Sequence, residues 1–231
     1  MIHHSFASTL GNIEEYSTLI NLVDKQLSFR AVERKSHVEQ KTFLIQQLKN
    51  LADNQYPAAI LNGRFAGKTC IVIGGGPSLD EHFDWIVYNY HQLFVITVSR
   101  MASRLSHAGI PAHIIVSVDP QDYSFEINRD MMALTHESLF VNSHHVNHRL
   151  ISQWLGKSLY LGSKLPWTDE DADNIPTVGP TVTNSAVRIA IELGFSDILL
   201  TGADFCYSSS GVSHANGAVE ANAGQTIAVL E

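Results

Sequence analysis

A chain of 231 residues, 45% of them hydrophobic and with a mean hydropathy near zero, suits one large α/β domain or one domain with an attached arm. Its net charge of −8 comes without a basic cluster, which argues against a long nucleic acid as partner. A single nucleotide stays open, because backbone donors bind phosphate without a basic domain. No apolar run reaches the roughly 18 residues of a membrane span, and the start, "MIHHSFASTLGNIEEY", has neither the basic nor the apolar region of a signal peptide. Cys70 and Cys206 are the only cysteines, each in or just after an apolar run. Two buried thiols in a reducing cytoplasm are expected rather than a disulfide.

Residues 12–53 predict helix. Ile13, Leu19, Ile20, Leu22, Val23 and Leu27 recur at helical spacing, as do Val38, Phe43, Leu44 and Leu48. This region reads as a helical arm or linker over 1–66, ahead of a domain over 67–231. From Lys68 the pattern alternates. Strands are expected at "TCIVIG" (69–74), "LFVITVS" (93–99), "AHIIVSVD" (112–119), "SLFVNS" (138–143), "KSLYLG" (157–162) and "DILLTGAD" (197–204), with helices near 79–90, 100–108, 144–155 and 183–194. Runs this apolar, separated by helices, predict a doubly wound, mostly parallel, Rossmann-like sheet covered on both faces. "PWTDEDADNIP" (166–176) is acidic and reads as an exposed loop.

Ligands of such sheets bind beyond the carboxyl ends of the strands, so the residues there are the candidates. The first stretch, "CIVIGGGPSLDEHF" (70–83), runs from a strand through Gly74, Gly75, Gly76 and Pro77 to Ser78. Ser78 and Glu81 have the spacing of a capping box, and the N–H groups of that helix start would face a ligand. The stretch is neither a Walker A motif nor a full G-x-G-x-x-G, since Leu79 stands where the last glycine belongs. A phosphate cradle and a plain tight turn both fit it. In "SVDPQD" (117–122), Asp119 and Gln121 follow the third strand, and the same segment is an ordinary Asp-Pro turn on the other reading. In "NSHHVNH" (142–148), Asn142, Ser143 and His144 are polar, and His144 and His148 are spaced to share a helix face. Hydrogen bonding at a helix start, a grip on a carboxylate or phosphate, and metal ligation all fit that spacing, in that order. "GPTVTNSAVRIAIELG" (179–194) offers Thr181, Thr183 and Asn184 at another helix start, either as a second anion cradle or as a plain cap. "TGADFCYSSSGVSHANG" (201–217) ends a strand at Asp204 and continues into a polar loop carrying Tyr207 and His214, a proton donor or acceptor near neutral pH or a solvated side chain.

Taken in order, G-G-G-P-S-L, S-V-D-P, the G-P-T-V-T-N-S-A helix and "LGFSDILLTGADF" resemble the central domain of the motility accessory factor (Maf) flagellin glycosyltransferases. That domain is similar to bacterial sialyltransferases that use CMP-activated sialic acid. The same signature resembles the archaeal 6-hydroxymethyl-dihydropterin diphosphokinases. "LGNIEEYSTLINLVDKQL" (10–27) is similar to the helix that precedes the glycine turn in the first group. The resemblance spans roughly residues 10–220.

It implies transfer of a nonulosonic acid (pseudaminic, legionaminic or sialic type) from its CMP ester to Ser or Thr of flagellin, in the cytoplasm. No cofactor or metal would be required beyond the CMP-activated donor. Gly74 to Ser78 would line the nucleotide site, with Asp119 near the ribose or sugar and Thr181, Thr183 and Asn184 at the phosphate or carboxylate. His214 would support the departing CMP beside Asp204. The chain departs from the related sialyltransferases at Cys206, where they carry tyrosine, and at Gly75, where they carry asparagine. Their general-base histidine lies further on than this chain runs, so a domain incomplete at its C-terminal end is expected. Two other readings are an ATP-dependent pterin-type diphosphokinase and a non-catalytic nucleotide-binding module.

Overall fold

The computed structural model of the chain describes residues 18–19, 22–23, 41–165, 172–179, 181–204 and 206–218. The chain divides into two compact units, Met1–Phe43 and Leu44–Glu231. Of the helices expected over 12–53, residues 18–19, 22–23 and 41–49 are helical, and the rest lie outside the described residues.

The second unit is built on six parallel strands, β1 (Thr69–Ile73), β2 (Phe94–Val98), β3 (Ile114–Ser117), β4 (Leu139–Ser143), β5 (Ser158–Leu161) and β6 (Asp197–Thr201). Their order across the sheet is β5-β4-β3-β2-β1-β6. The chain therefore winds outward from β1 to β5, then crosses back to place β6 on the other side of β1. The two windings part between β1 and β6, which makes this pair of strands the switch point of the sheet. The register sets Ile73 beside Thr201, so the turns that follow β1 and β6 start level with each other.

Alternation along the strands divides the core. Cys70, Val72, Ile96, Ile114, Val116 and Val141 face the helix that returns the chain to β6, and they pack on its Ala186, Ile189 and Ala190. Ile71, Ile73 and Val95 face the opposite way, onto Leu79, Ile86, Met101 and Leu105. A third group, around Ile115, Phe140, Met131, Leu150 and Trp154, extends that face under β3 and β4. The expected strands are all present. β6 departs from the expectation that both faces are covered: Leu199 and Leu200 are 38% and 53% exposed.

The helices are α1 (41–49), α2 (Ser78–Asn89), α3 (Ala102–His107), α4 (Asp122–Asn128), α5 (His148–Ser152) and α6 (Val182–Glu192). α4 and the 3-10 stretch after it (Arg129–Leu134) were not expected from the sequence, where apolar residues alternate over 123–127 and then run together over 131–134 rather than recurring at helical spacing. α5 begins at His148, so His144 lies in the turn before it and the two histidines share no helix face. The acidic loop is tied down where it is described. Asn174 and Ile175 are buried, and Asn174 Nδ2 donates to the carbonyls of Tyr160 and Gly162, each at 2.9 Å. Cys70 is buried and its thiol is pushed up to about 12 by burial, whereas Cys206 is exposed, which corrects the expectation of two buried thiols. Among the described residues no helix is long and apolar enough to cross a membrane.

Candidate functional site

The glycine turn and the turn after β6 lie against each other so closely that the glycines are explained by protein contacts. A Cβ on Gly74 would lie 2.3 Å from the carbonyl oxygen of Gly202, and one on Gly202, which has φ +67°, would lie 2.4 Å from that of Gly74. A Cβ on Gly76 would lie 2.3 Å from the Asp204 carboxylate. These separations are below any real carbon contact, so side chains there would force the two turns apart. Thr183, near the start of α6, joins the same cluster, its Oγ1 being 3.0 Å from where a Gly74 Cβ would stand.

The start of α2 is not a free anion cradle, which corrects the expectation drawn from the capping-box spacing. Ser78 is the first helical residue, after Pro77 at the cap position, and no capping-box bond forms. The Ser78 N–H instead donates to Asp204 Oδ2 at 2.9 Å, and Ser78 Oγ accepts from the Gly202 N–H at 3.0 Å. The N–H groups of Gly74, Gly76, Leu79 and Asp80 donate to the carbonyls of Thr201, Gly202, Gly76 and Pro77. A carboxylate from the turn after β6 thus does the work assigned to a ligand, and it offsets the positive end of the helix. Among the described residues, the Gly75 N–H is the one amide of this turn without a protein acceptor.

Gly75 faces side chains rather than the turn after β6. Its Cβ position is 3.0 Å from Arg100 Cδ and 4.0 Å from His214 Cδ2. His214 is half-buried, and its Nδ1 lies 2.8 Å from Ser213 Oγ. The loop that carries it is docked on the turn. The Ala215 N–H donates to the Gly75 carbonyl at 2.9 Å, the Asn216 N–H to the Asp80 carboxylate at 3.1 Å, and Arg104 Nη1 to the Asn216 carbonyl at 2.9 Å. Arg104 also pairs with Asp80 and lies over the Phe83 ring at 3.9 Å. Asp80 is therefore held by Arg104 and Asn216 and is a fastener for the His214 loop.

The other expected residues stand elsewhere. Thr181 Oγ1 donates to Asn184 Oδ1 at 2.7 Å and accepts from its N–H at 3.4 Å, so this pair caps α6. Asp119 Oδ1 accepts from the Gln121 N–H at 2.9 Å in a local turn, and the Gln121 carbonyl accepts from Asn147 Nδ2 at 3.1 Å. β2 lies between β1 and β3, so Asp119 is set roughly 10 Å along the sheet from the glycine turn, two strand spacings away. Asn142 and Ser143 are fully buried, and His144 is 2% exposed. Asn142 Nδ2 donates to the Leu159 carbonyl at 3.1 Å, Ser143 Oγ donates to that of Val118 at 3.1 Å, and the His144 ring packs on Tyr160 at 4.2 Å. These three side chains join strands and turns and are closed to an incoming donor. Burial also pushes His145, beside them, down to about 4.

The model of the 6-hydroxymethylpterin diphosphokinase MptE-like family matches residues 45–210. The chain belongs to this MptE-like family. Among solved structures, the MAf glycosyltransferase from Magnetospirillum magneticum AMB-1 is similar, with a TM-score of 0.55 and 22% identity over 71% of this chain. That match covers 27% of the glycosyltransferase, so the chain spans about a quarter of that protein's length. The likeness shows a shared Rossmann-like fold. No curated protein sequence matches the chain.

Within this MptE-like fold, the described residues bring Gly74, Gly75, Gly76, Ser78, Thr183, Asp204 and His214 into one cluster and leave Asp119, Gln121, Asn142, Ser143 and His144 outside it. Arg100 was not among the candidates from the sequence, which placed it at the start of a helix near 100–108. The available signal was its position directly after the apolar run of β2, where the rule about strand ends applies as it does to β1. No group of three His, Cys, Asp or Glu side chains able to hold a metal ion gathers among the described residues. The side chains nearest the Gly75 Cβ position are Arg100, through its aliphatic stem, and His214, residue types suited to an anion.

Proposed function

We propose that the chain binds a nucleotide-activated sugar at the switch point of the sheet and transfers a nonulosonic acid from its CMP ester. The observation that carries this reading is the placement of Arg100 and His214 as the side chains nearest the Gly75 position of the glycine turn. In this reaction the bond between the anomeric carbon and the phosphate oxygen breaks, its electron pair stays on CMP, and an acceptor hydroxyl bonds to the carbon and gives up its proton. Charge builds on the leaving phosphate, and donors already fixed around it stabilise that charge most. His214 lies beside the Gly75 position, where an imidazole can offer a hydrogen bond to that oxygen. The resemblance to the flagellin transferases supports a Ser or Thr hydroxyl of flagellin as acceptor, with the reaction in the cytoplasm. The Maf-like fold supports the nucleotide-sugar class.

The MptE-like family membership favours a second reading, a diphosphokinase acting with ATP on a small pterin alcohol. A thermal-shift series with CMP, CDP, UDP, ATP plus magnesium and 6-hydroxymethylpterin separates the two. CMP and CDP are expected to raise Tm above the other ligands, by the ordinary linkage between binding and stability. A rise with ATP and the pterin, and none with CMP, would replace the transferase reading with the kinase one.

A further inference from the structure

The two edges of the sheet are finished in different ways. At the β5 edge the chain covers its own strand. Pro57 bridges Tyr160, and the Tyr160 N–H donates to the Tyr56 carbonyl at 3.0 Å. Pro57 has no N–H to offer a further strand, a common guard on sheet edges. At the other edge, among the described residues, β6 pairs with β1 alone. Strands that stay at an edge are usually guarded by lysine, proline or a bulge. The β6 sequence, DILLT, has none of these, and its one charge is Asp197 at the start.

β6 is also apolar on both faces. Leu199 is in register with Ile71 and faces the α2 side, whereas Ile198 and Leu200 are in register with Cys70 and Val72 and face the α6 side. α6 packs on β1, β2 and β3, and Leu200 beyond it is left exposed, as Leu199 is on the opposite face. On α2, Asp80 is turned to Arg104 of α3, and Trp85, five residues on, falls on the other flank, the side of β6, where it is exposed.

We propose that β6 pairs with the β6 of a second copy of this chain, antiparallel about a two-fold axis at Leu199, so that the two sheets become one. The order of side chains in β6 fits that pairing. Leu199 meets Leu199 on one face, Ile198 meets Leu200 on the other, and Asp197 falls opposite Thr201. Every apolar residue of the strand then has an apolar partner and no like charges are opposed, whereas parallel pairing in register would set Asp197 beside Asp197. One surface serves both copies, as a two-fold contact requires, and Trp85 stands at its rim on each.

The test is sedimentation of the whole chain over a range of concentrations, with two kinds of variant. The wild type is expected to dimerise. Leu200→Lys, a charge of the kind that guards natural edges, should weaken the dimer tenfold or more and leave the Tm of the monomer near that of the wild type, because Leu200 is already exposed. With the exposed Cys206 replaced by serine, Leu199→Cys should form a disulfide-linked dimer on mild oxidation, since opposed Cα atoms of an antiparallel pair lie about 4.5–5.5 Å apart, within reach of a disulfide. Leu200→Cys, which would stand opposite Ile198, should not. The cross-link decides the matter if Leu200→Lys fails to fold. A wild type that stays monomeric overturns the proposal, and protection of the β6 amides from hydrogen exchange in that monomer would assign the edge to another part of the same chain. A dimer that Leu200→Lys leaves intact and Leu199→Cys does not link has its contact elsewhere, and overturns it too.

Discussion

Gly76 shows how a glycine that looks made for a ligand is explained by its neighbour. The carboxylate of Asp204 occupies the place where its Cβ would stand and accepts the hydrogen bond of Ser78, the first residue of α2. A methyl at Gly76 must therefore displace either Asp204 or the Gly202 carbonyl, which is 2.9 Å from the same point. Gly76→Ala is expected to cost about 1–3 kcal/mol of stability, the range of an over-packed contact, readable as a lower urea midpoint. At Gly75 the atoms to be displaced belong to a flexible arginine stem, so Gly75→Ala should leave the midpoint within about 0.5 kcal/mol of the wild type. If both alanines cost the same, the two glycines do not have the different roles their contacts indicate.

At the scale of elements, α1 reverses the polarity its sequence suggests. Leu44 and Leu48 recur as an apolar stripe, yet they are 39% and 47% exposed, while Gln46 and Asn50 are buried. The reason is the backbone of the turns beneath. Gln46 Nε2 donates to the Pro120 carbonyl at 3.0 Å, and Asn50 Nδ2 donates to the carbonyls of His144 and Val146 at 2.9 and 2.8 Å. Asn50 Oδ1 also faces His148 Nδ1 at 3.0 Å. Turns beyond the strand ends leave carbonyls that no ladder satisfies, and leaving two of them buried without a partner costs at least as much as burying a leucine gains. Asn50→Ala should therefore lower stability by about 2–3 kcal/mol, because two buried acceptors lose their donor together. A melting temperature unchanged from the wild type would show that those carbonyls find other partners.

For the molecule as a whole, the buried histidines set how the fold responds to acid. Burial holds His145 down to about 4 from an ordinary 6.5, and it lowers His113, whose Nδ1 accepts from the Val95 N–H at 3.0 Å. The unfolded chain takes up these protons below about pH 6.5, and the fold does not. Stability therefore falls as the pH drops from about 6.5, and the His145 share of the loss is complete near pH 4. That share is at most about 3 kcal/mol. Urea unfolding at pH 7 and pH 4.5 should show a smaller acid loss for His145→Gln than for the wild type, and equal losses would remove His145 as the cause.

The sequence by itself determined the parallel sheet, since runs such as "CIVI" and "HIIVS" are apolar on both faces and cannot lie against water. It also pointed to the residues after the strands as candidates for ligand chemistry, which is why Gly75, Asp204 and His214 were singled out. Tertiary structure decided which of those strand ends meet. The order β5-β4-β3-β2-β1-β6 puts the first and last strands side by side and sets Asp119 and His144 apart from the glycine turn. It also decided what each polar group does there. A free helix start and one capped by a carboxylate more than a hundred residues away have the same local sequence. Local spacing reports backbone conformation, while the partner of a hydrogen bond or the arginine that crosses a glycine depends on which turns the sheet brings within a few ångströms of each other.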